Sequence, residues 1–165
     1  MFRTRLVALL ATNPAFVELS GRTLEDHGGY NVATFSSIGA LTTFLRISPV
    51  DVVVLDSELP GGSVVATIRA LRLHPKLASP VFSIIALTRA DAVPPQALLE
   101  AGADSVLQKP VAPGQLLAEV QKFYPQRRSQ VVHYRRPIQP SIARKAQPHR
   151  TGNVIPLFGE GRTPR

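Results

Sequence analysis

Short apolar runs alternate with amphipathic stretches along the first 125 residues of the chain. Three runs are almost continuously apolar: RLVALLA at 5–11, DVVVLD at 51–56 and VFSIIAL at 81–87. Such runs are typical of parallel strands, because helices cover both faces of a parallel sheet. Two weaker segments, YNVATF at 30–35 and DSVLQ at 104–108, keep the same rhythm. The pattern therefore predicts five strands.

The stretches between these runs have the spacing of amphipathic helices. The predicted helices cover residues 14–27, 37–46, 62–73, 93–101 and 113–124. Serine before the second helix and glycine after the first and the fourth are ordinary start and stop signals. Strands that alternate with helices in this way predict an α/β fold with a doubly wound, five-stranded parallel sheet and right-handed crossovers.

In a sheet of this type the ligand or reaction site lies at the carboxyl ends of the strands. This rule selects a small group of residues for inspection. They are Ala11, Thr12 and Asn13 after the first strand, Asp56 and Ser57 after the third, Leu87 and Thr88 after the fourth, and Lys109 and Pro110 after the fifth.

Composition indicates one domain with an appendage. The chain has 165 residues, of which 44% are hydrophobic, and this is enough for one substantial core. Because the chain has no cysteine, disulfides, zinc-thiolate sites and thiol catalysis are excluded. We find no signal-peptide pattern and no apolar run near the roughly 20 residues that span a bilayer, so we expect a cytoplasmic protein.

Charge divides the chain near residue 125. Residues 1–125 carry equal numbers of basic and acidic side chains, whereas residues 126–165 carry nine Lys/Arg against one glutamate. The whole net charge of +8 therefore lies in the tail, and it indicates an anionic partner. Five prolines and little apolar periodicity predict that the tail is disordered without a ligand. We divide the chain into a domain at 1–125 and an Arg/Pro-rich tail at 126–165.

Three motifs carry a family resemblance. Asp56 followed by SELPGG, IIALTRAD at 84–91 and AGADSVLQKP at 101–110 together resemble the CheY-like receiver domain of bacterial two-component response regulators, over about residues 4–124. The resemblance implies a CheY/flavodoxin-like fold. It also implies that Asp56 occupies the phospho-acceptor position, Thr88 that of the switch hydroxyl, and Lys109 that of the lysine that pairs with the phosphoryl group, with a cis peptide bond before Pro110.

The end of the first strand departs from the family pattern. Receivers usually carry two acidic residues there, which hold magnesium together with the acceptor aspartate and a backbone carbonyl, but this chain has Ala11 and Thr12. Magnesium in phosphoryl sites relies on carboxylate oxygens and neutralises charge on the transferring group. We therefore expect no metal site. Asp56, Thr88 and Lys109 are interpreted as a vestigial phospho-site in which Asp56 is a structural carboxylate paired with Lys109; the alternative is a functional phospho-acceptor.

Arginine outnumbers lysine eight to one in the tail. A guanidinium group stacks on a planar base and also offers two parallel donors to phosphate or to the N7 and O6 atoms of guanine. His133 and Tyr134, just before Arg135 and Arg136, add flat surfaces for base stacking. These features suit an anion that contains guanine.

A receiver-like domain with such a tail resembles the CheY-like cyclic-di-GMP effectors of Caulobacter, called Cle proteins. The resemblance implies that the tail binds cyclic-di-GMP between about residues 127 and 150. The predicted contacts are Arg127, Arg128, His133, Tyr134, Arg135, Arg136, Arg144, Lys145, His149 and Arg150. It also implies that the protein partner is the flagellar motor switch, contacted through residues 93–123, with recruitment to the motor at the cell pole.

No set of residues in the domain indicates catalysis, and we expect a non-enzymatic signalling adaptor without a cofactor. The four histidines lack the spacing of metal ligands, and no Ser-His-Asp set is evident. Two alternatives to the cyclic-di-GMP effector remain at this point. One is a phosphorylation-dependent, single-domain response regulator that uses Asp56. The other is a tail that binds nucleic acid without sequence specificity, with affinity that falls steeply as salt rises.

Overall fold

The computed structural model describes residues 5–59 and 61–124. Strands and helices alternate in the order β1 (Leu6–Leu10), α1 (Pro14–Asp26), β2 (Asn31–Phe35), α2 (Ile38–Ile47), β3 (Val52–Asp56), α3 (Val64–Leu73), β4 (Ser83–Thr88), α4 (Pro95–Ala101), β5 (Ser105–Gln108) and α5 (Pro113–Phe123). The strands form one parallel sheet in the order β2-β1-β3-β4-β5. The predicted doubly wound α/β fold is confirmed.

The sheet separates two apolar cores. Helices α2, α3 and α4 cover one face, onto which Val53 and Leu55 of β3 project. Helices α1 and α5 cover the other face, which receives Val52 and Val54. Strand β3 lies between β1 and β4 and is buried along its whole length. Asp56 is the last residue of this central strand and pairs with Leu87 of β4. This two-sided burial explains why the strands read as continuous apolar runs.

The helix ends follow from local chemistry. The Asn13 side chain accepts a hydrogen bond from the backbone N–H of Phe16 at 3.2 Å and caps α1, and Ser37 caps α2 in the same way. Helix α4 ends at Gly102, whose φ of 115° lies in the left-handed region that favours glycine.

Three predicted boundaries were wrong by two residues. Strand β4 begins at Ser83 rather than at residue 81, α3 at Val64 rather than at residue 62, and α4 at Pro95 rather than at residue 93. The Ser63 side chain accepts from the backbone N–H of Ala66 and caps α3, so that helix starts only after it. A residue before proline avoids helical backbone angles, and Pro94 precedes Pro95 with a ψ of 135°, so α4 starts only after it. Within the described part of the chain, no helix is both long and apolar enough to cross a membrane.

Candidate functional site at the carboxyl ends of the strands

Asp56 and Lys109 form an ion pair at the carboxyl end of the sheet. The Asp56 side chain is only 2% exposed, and Nζ of Lys109 lies 2.6 Å from its Oδ1 and 2.7 Å from its Oδ2. The backbone N–H of Glu58 donates to the same Oδ1 at 3.0 Å. Both carboxylate oxygens of Asp56 therefore accept hydrogen bonds from the protein itself, as a buried carboxylate requires.

Lys109 lies between two carboxylates. It follows β5, where its backbone N–H donates to the carbonyl oxygen of Thr88 at 2.7 Å, and its Nζ also donates to Oε2 of Glu58 at 2.9 Å. Burial by itself would lower the pKa of Lys109, but the hydrogen bonds to Asp56 and Glu58 outweigh it and raise that pKa. The hydrogen bond from Lys109 in turn lowers the pKa of Glu58. The ammonium group is consequently held in its charged form.

Arg89 extends this network to the connection between β4 and α4. Its guanidinium donates to Oε1 of Glu58 at 2.8 Å and forks onto Asp91 at 3.0 and 2.7 Å. The hydrogen bond to Asp91 is the largest cause of the raised pKa of Arg89. We call Asp56, Glu58, Arg89, Asp91 and Lys109 the Asp56 cluster. It contains three carboxylates and two cations and joins the three connections that follow β3, β4 and β5.

The Thr88 hydroxyl group contacts the start of the connection to α4. Thr88 is fully buried as the last residue of β4, and its Oγ1 lies 3.0 Å from the carbonyl oxygen of Val93 and 3.2 Å from that of Arg89. A hydroxyl has one proton, so these two carbonyls compete for it. In this conformation Thr88 fixes the backbone that leads into α4.

The end of β1 supplies no carboxylate to the site. Ala11 is buried, and the hydroxyl of Thr12 lies 3.5 Å from the carbonyl oxygen of Glu58, to which it donates. In the described residues no three side chains of histidine, cysteine, aspartate or glutamate are grouped to hold a metal ion. Both carboxylates nearest to the site, those of Asp56 and Glu58, are already bound to cations. Because magnesium needs several free oxygen ligands in near-octahedral geometry, these residues do not fit it.

A cavity of about 570 Å³ opens beside the Asp56 cluster. Besides the cluster itself, its walls are formed by Asn13, Phe16, Ala90, Pro110 and Val111. The peptide bond between Lys109 and Pro110 is cis, as the family resemblance implied. The cavity leaves room beside Asp56, while the surrounding cations neutralise the charge of that carboxylate.

The sequence predicts that Asp56, Thr88 and Lys109 lie at the same edge of the sheet, and the structure places all three there. The sequence prediction missed Glu58, Arg89 and Asp91. Their positions two residues after Asp56 and one and three residues after Thr88 were a usable signal, since connections at the carboxyl edge face the site. The ten predicted cyclic-di-GMP contacts between Arg127 and Arg150 lie outside the described residues and stay predictions.

A parallel sheet of this order, with aspartate, threonine and lysine at the ends of β3, β4 and β5, defines a receiver-type signalling module. The family model for the response regulator receiver domain matches residues 7–121, and the chain belongs to that family.

Solved structures agree with this assignment. CheY4 of Vibrio cholerae is 22% identical, with a TM-score of 0.64, and the match covers 73% of this chain and 99% of that protein. The receiver domain of TorR, a response regulator of the TMAO respiratory system, is 26% identical with a TM-score of 0.63 and coverages of 73% and 96%. A protein of Chloroflexus aurantiacus described as a response regulator is 23% identical with a TM-score of 0.65 and coverages of 73% and 98%. No curated protein gave a significant match.

Proposed function

We propose that this chain is a non-enzymatic signalling adaptor whose input is cyclic-di-GMP, bound by the arginine-rich tail, rather than phosphorylation of Asp56. The observation that carries the proposal is the state of the receiver site. Asp56 is bound to Lys109 through both oxygens, and Ala11 and Thr12 stand where the metal-binding carboxylates of the family would be. A receiver that lacks its metal ligands needs another input.

The tail supplies the chemistry for that input. It carries eight arginines and the whole net charge of the chain, and its motif YRRP at 134–137 combines an aromatic ring with two guanidinium groups. Arginine pairs with guanine edges and phosphates in a way that lysine does not. Folding on binding would lower the net affinity by the ordering entropy, while it would create a new surface for a protein partner.

We propose that this partner is the flagellar motor switch and that the chain is recruited to the motor at the cell pole. The face that would contact the partner consists of α4, β5 and α5. Leu99 on α4 is 42% exposed there, and β5 is an edge strand of the sheet. The hydrogen bond of 2.6 Å from Ser105 on β5 to Glu119 on α5 ties two of these elements together.

Calorimetric titration of cyclic-di-GMP into the full chain at physiological salt tests the ligand. The double variant Arg135→Ala/Arg136→Ala is expected to lose binding at least about tenfold, because each well-placed bidentate arginine contributes about 1–3 kcal/mol. Arg162→Ala/Arg165→Ala, which removes the same charge outside the predicted contact segment, is the matched control. Equal binding of GTP or of an oligonucleotide, or no binding at all, would refute the cyclic-di-GMP proposal and, in the oligonucleotide case, favour a nucleic-acid-binding tail.

The second candidate function is a phosphorylation-dependent response regulator. One observation favours it: Asp56, Thr88 and Lys109 are all present at the strand ends beside an open cavity. Incubation with a small acyl phosphate and magnesium, followed by intact-mass measurement, tests this function, with Asp56→Asn as the control. We expect no added phosphoryl group on the natural chain. We expect one on the Ala11→Asp/Thr12→Asp variant, which restores the carboxylates of the family pattern.

A further inference from the structure

Two unusual features coincide at the amino-terminal edge of the sheet, opposite the Asp56 cluster. Helices α2 and α3 run back from the carboxyl ends of β2 and β3, so both end at this edge. Ile47 ends α2 with 74% of its surface exposed, and Leu73 ends α3 with 81% exposed. Isolated exposed apolar side chains are ordinary, but these two lie at helix ends on the same edge of the sheet.

The second feature is charge. Among residues 5–59 and 61–124, three cations have neither an ion pair nor an aromatic ring contact: Arg46, Arg69 and Lys76. The other cations of this part have such contacts, namely Arg5, Arg22, Arg72, Arg89, Lys109 and Lys122. Arg46 precedes Ile47, Arg69 lies one turn before Leu73 on the same face of α3, and Lys76 is three residues beyond Leu73. Each exposed apolar side chain therefore has an unpaired cation within four positions of it along the chain.

The connection after α3 brings these residues into contact with α2. The backbone N–H of Ala78 donates to the carbonyl oxygen of Leu45 at 2.9 Å, and Leu77 packs into the core beneath. The backbone N–H of Lys76 is held by Nδ1 of His74 at 3.2 Å. As a result Arg46, Ile47 and Lys76 share the walls of one cleft of about 350 Å³ with Thr43. The fold therefore places two cationic residues at one cleft.

We propose that Arg46, Ile47, Arg69, Leu73 and Lys76, the edge patch, form a docking surface for an acidic segment of a protein partner. A carboxylate of that segment enters the cleft between Arg46 and Lys76, and its apolar side chains cover Ile47 and Leu73. Charge complementarity selects an acidic partner, because the cations of the edge patch have no carboxylate of their own in the described part of the chain. Because the cleft is concave and has a volume of about 350 Å³, it suits one inserted side chain of a protein better than a flat anionic surface such as a membrane. The edge patch is separate from the α4-β5-α5 face.

The test uses amide chemical shifts of the full-length, ¹⁵N-labelled chain. The probe is a short synthetic peptide with glutamate and leucine in helical spacing, and the control peptide has lysine in place of glutamate. We expect the acidic peptide to shift the amides of residues 43–47 and 69–78. The variant Arg46→Glu/Lys76→Glu is expected to weaken binding at least about tenfold, since like charges then face each other. Arg22→Glu reverses the charge of an exposed cation on α1, away from the edge patch, and is expected to leave the affinity unchanged.

The basic tail also attracts acidic peptides, so the variant Arg135→Ala/Arg136→Ala is measured in parallel. The proposal requires that this variant keeps the shifts at 43–47 and 69–78. Shifts confined to the tail, or shifts that survive the charge reversal of Arg46 and Lys76, would overturn it. Stronger perturbation of the same amides by phosphatidylglycerol vesicles or by a single-stranded oligonucleotide than by the peptide would overturn it too, in favour of a membrane or a nucleic acid. The variant Ile47→Ser/Leu73→Ser measures how much the apolar contacts contribute to binding of the peptide. We expect the affinity that it loses to be the same at high salt, because salt screens only the ionic contacts.

Discussion

Replacement of Lys109 by methionine tests whether the Asp56 pair stabilises the fold. The variant would leave an almost fully buried carboxylate with one hydrogen bond, from the backbone N–H of Glu58. Removal of one partner of a buried ion pair costs about 3–5 kcal/mol. Because 21% of the Lys109 side chain is exposed, water replaces part of the lost contact, and we expect a loss of about 3 kcal/mol, near the lower limit.

Asp56→Asn is the partner variant. The amide oxygen still accepts from the backbone N–H of Glu58, and Lys109 keeps its hydrogen bond to the Glu58 side chain, so we expect a loss of only about 1 kcal/mol. In the double variant no charge is left buried without a partner. We therefore expect the double variant to be more stable than Lys109→Met alone by about 1–2 kcal/mol, a non-additivity typical of residues in direct contact.

Urea unfolding followed by circular dichroism measures these differences. At a slope of about 1.5 kcal/mol per molar, the Lys109→Met loss moves the midpoint by about 2 M, with the slope unchanged. Lys122→Met is the matched control: its side chain is 66% exposed beside Glu119, and we expect a change below about 0.5 kcal/mol. A Lys109→Met loss below about 1 kcal/mol, or a double variant destabilised by the full sum of the single losses, would refute a structural role for the pair.

Three further predictions concern stability. Folding lowers the pKa of Glu58, so the Glu58 carboxylate stabilises the folded state above the usual glutamate pKa of 4.5, and this stabilisation is lost as the pH falls through the pKa that Glu58 has in the folded state. In Glu58→Gln the free energy of unfolding should therefore fall less steeply as the pH is lowered through the acid range. Gly102→Ala should lower the free energy of unfolding by about 2 kcal/mol in urea, since the φ of Gly102 is 115° and the new Cβ would lie 2.9 Å from Cγ of Arg72. Gly21→Ala should raise it by about 0.5 kcal/mol, because no atom lies within 4 Å of the new Cβ. Tyr124→Phe should lose about 1 kcal/mol by the same assay, because the ring packing stays while the hydroxyl group loses its 3.2 Å hydrogen bond to the carbonyl oxygen of Leu6 and its interaction with Asp51.

The sequence predicted the fold well because its main signals are local. The run at 51–56 is apolar on both faces, and the structure buries β3 completely. Ser37 and Gly102 are found at the start of α2 and the end of α4, where serine and glycine have clear stereochemical roles. The errors at residues 62, 81 and 93 occurred where a glycine-rich, apolar or proline-rich segment precedes the first hydrogen-bonded residue of the element.

The site was predicted only in part. Asp56 and Lys109 were selected because strand ends in such a sheet converge, and the family resemblance gave their pairing. Glu58 and Arg89 were missed although their positions after β3 and β4 were a signal, because sequence position alone does not show which charged group a long side chain contacts. Arg89 reaches Glu58 across 31 positions of the chain, and only the finished sheet brings them together.

The same separation along the chain has a kinetic consequence. Lys109 meets Asp56 across 53 positions, and only after β5 has added to β4 at the edge of the sheet. Because this contact closes a long loop at the last strand, we expect it to form after the rate-limiting barrier of folding has been crossed. Loss of the Lys109 ammonium should then accelerate unfolding while the folding rate stays almost constant. The ion pair would thereby set how long the native state lasts once formed, more than how quickly it is reached.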